Sequence, residues 1–158
     1  SGRRAPSCCS RCTRPSVQSL TMLLMLVTLC AIGILISGYF TGVTLRWVKP
    51  DTRWIPPVCR LGENACALVV FTPQARVFGP PNAVLGLVFY VVLAAAALEG
   101  GLDAPSIRLA MLGATGATVA LGLFLTYSLL FVIRVKCVLC LSSHVVNLAL
   151  FCIVLTHG

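Results

Sequence analysis

The sequence predicts an all-α membrane protein: a four-helix transmembrane bundle with a long extracytoplasmic loop between helices 1 and 2. Composition is the first reason. Of 158 residues, 58% are hydrophobic and 10% charged, whereas a soluble domain carries about a quarter charged residues; mean hydropathy is +0.98. The second reason is where the charges fall. Arg76 and Glu99 bracket an uncharged run, and no Asp, Glu, Lys or Arg follows Lys136. Arg108 and Arg134 bracket a further run. Each run is about 20 residues or longer, enough to cross roughly 30 Å of hydrocarbon. Third, the runs are continuous and lack the alternation of barrel strands, so helices are the way to satisfy their backbone in lipid.

Taken in order, residues 1–19 carry Arg3, Arg4, Arg11 and Arg14 without an acid, and read as a basic flexible tail. Its Cys8, Cys9 and Cys12 are expected to be reduced and solvated, with lipidation of a juxtamembrane cysteine as the alternative. The apolar run that follows is too long for a signal-peptide core and has no clear cleavage site, so residues 20–43 are expected to span the membrane. Because the chain starts at Ser1, it reads as processed, trimmed or excised. Further spans are expected at 82–99, 107–133 and 137–157. In the third, Gly113, Gly116, Ala117 and Ala120 have spacings that allow close helix approach. Residues 44–81 form a loop rich in Arg, Trp and Pro. Trp47 and Trp54 suit an interfacial belt, and Ala65 to Phe71 reads as a short amphipathic helix over the bundle. The net charge of +8 flanks apolar segments, which points to lipid headgroups and away from nucleic acid.

The chemistry is expected at Cys137-Val-Leu-Cys140. Cysteines at i and i+3 share a helix face and can alternate between dithiol and disulfide. With Cys137 on the first turn of the last helix, unpaired N–H groups and the helix dipole favour its thiolate, as do Arg134 and Lys136. A zinc site needs four ligands and no second close cluster is evident, so no metal is expected. Cys59 and Cys66 lie in the long loop. With four crossings the first and third connections face one side, so both pairs share it. The Lys and Arg count is balanced between the two sides. The loop is therefore assigned to the outside because stable disulfides form there and not in the cytosol. Two pairs on one side make a relay by thiol–disulfide exchange. Its lipid-soluble end is a quinone, held among the helices. Polar residues within the spans are few and therefore informative: Asn82, Ser142, Ser143, His144 and Asn147. His144 is one turn from Cys140. Cys30 and Cys152 lie in apolar runs and are read as small hydrophobes without a role.

The ordered motifs Cys59-Arg-Leu-Gly-Glu-Asn-Ala-Cys66, Phe78-Gly-Pro-Pro-Asn82-Ala-Val-Leu-Gly86 with Phe89-Tyr90, and Cys137-Val-Leu-Cys140 resemble the vitamin K epoxide reductase family. The resemblance covers about residues 20–157 and is greatest to the bacterial homologues that oxidise thioredoxin-like partners. It implies that Cys140 faces the quinone, that Cys137 exchanges with Cys66, and that Cys59 exchanges with the soluble partner. It also implies that Asn82 hydrogen-bonds a quinone carbonyl and that Thr72 is a supporting loop residue; capping the loop beside Pro73 is the plainer role for Thr72. Where vertebrate members carry a tyrosine four residues after the second active cysteine, this chain has His144. An imidazole can donate to a quinone oxygen or supply a proton, which favours a plain quinone over an epoxide. The family resemblance implies a bacterial inner membrane with the cysteine pairs facing the periplasm. The alternative is an ER membrane, facing the lumen, with vitamin K epoxide or quinone as substrate. The chain is too short to include a fused thioredoxin-like domain, so the partner is expected to be a separate protein or a removed part. The bacterial disulfide bond protein B group places its Cys-x-x-Cys in the first loop, the reverse of the order here. A tetraspan scaffold with structural disulfides is the alternative of another class.

Overall fold

The computed structural model describes residues 17–48, 69–100, 104–134 and 137–157. Four α-helices account for most of them: α1 (Val17–Thr44), α2 (Asn82–Leu98), α3 (Pro105–Tyr127) and α4 (Val138–His157). No strand occurs among the described residues. Within α1, α3 with its continuation, and α4 lie segments long and apolar enough to cross a membrane, namely Leu20–Thr44, Pro105–Val132 and Val138–Thr156. The fourth, α2, is apolar but has 17 residues, about 26 Å of helix. Side chains such as Leu24, Leu35, Val92, Leu109, Leu123 and Val145 point outward. An outer face this apolar belongs in lipid, and the protein is an integral membrane protein.

The helices pack α2 on α1, α1 on α4 and α4 on α3. One core lies where Leu26 and Cys30 of α1 meet Tyr90, Leu93 and Ala97 of α2, Met111 of α3, and Val146, Leu150 and Val154 of α4. Cys30 is thus packed as a core hydrophobe, and Cys152 is exposed on the outer face. A second cluster, Phe40, Val70, Leu129 and Cys137, closes the other end. Val70 belongs to the stretch read from sequence as a helix over the bundle. Residues 65–68 of that stretch, with Trp54, lie outside the described residues.

One helix end departs from the sequence reading. The third span is expected to run as one helix to residue 133, but α3 passes at Tyr127 into a π-helical turn, Ser128–Val132. There the Ile133 N–H reaches back to the Ser128 carbonyl at 2.8 Å. The wider turn carries Ser128 and Leu129 inward, where both are buried. It ends at Arg134, φ 57°. The close of α1 is a Schellman motif. The Trp47 N–H bonds the Gly42 carbonyl at 2.8 Å and the Arg46 N–H bonds that of Val43 at 3.1 Å. The left-handed position usually given to glycine holds Arg46, φ 61°. Arg46→Gly is therefore expected to stabilise the protein by roughly 1 kcal/mol. The check is a rise in the unfolding midpoint in detergent, against an Arg46→Ala control that keeps the strain.

The glycines that bring helices together are also not those of the sequence reading. Gly113 has nothing within 4 Å of an added Cβ, and at Gly116 that atom would make ordinary contact with Phe151, 3.5 Å away. Ala117 and Ala120 are exposed. The close approaches are at Gly33, Gly86 and Gly122, whose added Cβ would stand 2.5 Å from the Tyr90 ring, 3.0 Å from Ser37 Oγ and 2.9 Å from His144 Nδ1.

Candidate functional site

Between the two cores is a cavity of about 390 Å³, within the range of small-molecule sites. Its wall draws on the C-terminal halves of α1 and α3 and the N-terminal halves of α2 and α4. These halves therefore meet at one end of the bundle, together with the strap 69–81 that leads into α2. Consecutive in the chain, α2 and α3 face each other across the cavity without close packing. Most of the wall is apolar: Ile36, Phe40, Val70, Leu85, Phe89, Leu121 and Leu125.

Cys137 is the residue before the first turn of α4, one position earlier than the sequence reading, and is 0% exposed. Its carbonyl accepts from the Leu141 N–H at 3.1 Å, and its Sγ accepts from the Cys140 N–H at 3.3 Å. It thus fills the N-cap position, with sulfur in place of the usual oxygen acceptor. An N–H donated to sulfur and the positive end of the helix both favour negative charge there. Cys140 Sγ lies 2.7 Å from Cys137 Sγ, both as thiols, and Cys140 lies on the cavity wall.

Thr72, Asn82 and His144 lie on the same wall. The hydroxyl of Thr72 donates to the Val69 carbonyl at 2.7 Å, immediately before the 3₁₀ turn Pro73–Arg76. Asn82, the first residue of α2, ties down that turn. Its Nδ2 donates to the Gln74 carbonyl at 2.9 Å, and its Oδ1 accepts from the Val77 N–H at 3.3 Å. One N–H of the amide is left for another acceptor. His144 is wedged against Gly122 on α3, and its Nδ1 is buried with no hydrogen-bond partner among the described residues. Ser143 donates to the Cys140 carbonyl at 2.8 Å. Of the expected site residues, Cys137, Cys140, Thr72, Asn82 and His144 meet at this end of the bundle. Cys59 and Cys66 lie outside the described residues. Tyr90, which closes the motif at the second helix but was given no role from sequence, and Gly122, which nothing in its local sequence marks, also line the cavity.

These features define a class: a helical integral membrane protein with a Cys-x-x-Cys pair at the wall of an apolar cavity. The model of the vitamin K epoxide reductase family matches residues 24–155. The chain belongs to that family, whose members are membrane oxidoreductases of thiols, disulfides and quinones.

Proposed function

We propose that this protein is a quinone-linked thiol–disulfide oxidoreductase that draws electrons from a separate thioredoxin-like partner and so makes disulfide bonds. The observation that carries the reading is Cys140, on the wall of the cavity and within 2.7 Å of Cys137. A flat apolar ring with oxygen at its edge suits this space. The walls are apolar, while His144 and the remaining Asn82 N–H supply polar contacts beside Cys140.

The relay begins when a Cys66 thiolate attacks Cys137 in the Cys137–Cys140 disulfide. That forms a Cys66–Cys137 bridge and releases Cys140 as thiolate. Cys59 then attacks Cys66 and frees Cys137, leaving the loop pair oxidised and the helix pair reduced. The loop disulfide takes two electrons from the partner's dithiol. The quinone supplies the final acceptor, leaving as hydroquinone with two electrons and two protons while Cys137 and Cys140 close their bond. The Cys140 N–H stabilises the sulfur of Cys137 as leaving group, and His144 is set to move a proton at its ring nitrogens. We place it in a bacterial inner membrane with both pairs facing the periplasm, where stable disulfides form and the loop pair would meet its partner; an ER membrane, facing the lumen, is the alternative.

The test is a map of bridged cysteines after rapid alkylation, by mass spectrometry without reduction. In a Cys59→Ser, Cys140→Ser double variant the Cys66–Cys137 bridge is expected to accumulate. If that bridge never forms, the relay is wrong.

A further inference from the structure

The inner end of the cavity holds a polar pair that the relay does not use. Tyr90 of α2 donates its hydroxyl hydrogen to Oδ1 of Asn147 on α4 at 2.6 Å. Tyr90 is 2% exposed and its ring is pressed against Gly33. Both residues line the cavity. Asn147 shares a helix face with Cys140 and His144. Seven residues carry it about 10 Å beyond Cys140 along the axis.

An asparagine amide accepts at oxygen and donates twice at nitrogen. Tyr90, as the donor, claims the oxygen and so fixes the orientation of the amide. The nitrogen makes no hydrogen bond among the described residues. The hydroxyls of Thr118 and Ser143 are already spent on the carbonyls of Thr115 and Cys140, at 2.8 Å each. The deep end of an otherwise greasy cavity therefore presents an oriented N–H donor.

We propose that Asn147, positioned by Tyr90, binds a second carbonyl oxygen of the ligand at the end remote from the cysteines. The cavity would then select flat rings with two opposed carbonyls. Such oxygens lie roughly 5 Å apart, and a hydrogen bond of about 2.9 Å at each end puts the donors about 11 Å apart. The near-end donors are the free Asn82 N–H and His144, on the cavity wall beside Cys140, while Asn147 lies about 10 Å beyond Cys140 along the axis of α4. A ring with one carbonyl leaves one of these donors without an acceptor and binds less well. The inference rests on the quinone reading of the cavity.

The experiment is equilibrium binding to full-length protein in lipid nanodiscs, with empty discs subtracted. The probes are 2,3-dimethyl-1,4-naphthoquinone, which has two carbonyls and no unsubstituted ring carbon for thiol addition, and 1-tetralone, which has one carbonyl. The protein is expected to bind the dione about tenfold more tightly. Asn147→Leu and Tyr90→Phe are each expected to bring that ratio close to one, and Tyr90→Phe keeps the ring that fills the Gly33 contact. A merely structural role would weaken both probes alike and leave the ratio unchanged. A ratio retained in both variants, or no preference in the unaltered protein, overturns the proposal while sparing the quinone reading. Failure of the unaltered protein to bind either probe overturns both.

Discussion

Alanine at Cys140 is expected to lower quinone reduction by at least a hundredfold while the cavity still binds quinone. The side chain is small and half-buried on the cavity wall, so its removal opens space without touching the apolar surfaces that would hold a ring. What goes is the second sulfur, 2.7 Å from the first. Without it Cys137 has no partner within the helix to bond as electrons leave, and the two-electron step has no intramolecular product. Steady-state reduction by a dithiol-reduced thioredoxin-like protein, with binding measured alongside, separates loss of chemistry from loss of affinity. Cys152→Ser serves as the control, because that residue is exposed on the outer face and is expected to leave the rate unaltered. A normal rate in Cys140→Ala would remove Cys140 from the electron path and with it the proposed mechanism.

The apolar helices and the cysteine pair were legible in the sequence because each is written in neighbouring residues. Uncharged runs state where lipid-facing helices lie, and an i, i+3 spacing puts Cys137 and Cys140 on one face. His144 followed from the same periodicity, one turn on. The features that shape the cavity are written in distant residues. Tyr90 and Asn147 are 57 positions apart and meet only after α1 has come between two antiparallel neighbours. Arginine gives no signal for a left-handed backbone, so neither Arg46 nor Arg134 marked its turn in advance. The π-helical turn likewise answers to packing, since it carries Ser128 and Leu129 inward to be buried. Small residues in the third span drew attention by spacing alone, yet the contacts between helices that exclude a methyl group are at Gly33 and Gly122. A glycine's spacing says that an approach is possible; only its neighbour's ring says that the approach is made.

Gly33→Ala is expected to be among the most damaging single methyl additions in the chain, destabilising it by about 3 kcal/mol. The new Cβ would stand 2.5 to 2.6 Å from three atoms of the Tyr90 ring. The ring has nowhere to go. It is 2% exposed, packed among Leu26, Cys30 and Leu93, and tethered through its hydroxyl to Asn147. Relief requires α1 and α2 to part or the hydrogen bond to break, and either change reaches the cavity. Gly38→Ala is the matched control: its Cβ would meet nothing within 4 Å, and the change is expected to stay within about 1 kcal/mol. The measurement is the unfolding midpoint of each variant in a fixed detergent. Combining Gly33→Ala with Tyr90→Val is expected to recover part of the loss, because the clash and the ring vanish together. If Gly33→Ala proves as mild as Gly38→Ala, the helices are not held at the distance that lets Tyr90 reach Asn147. The deep polar end of the cavity would then have no fixed donor.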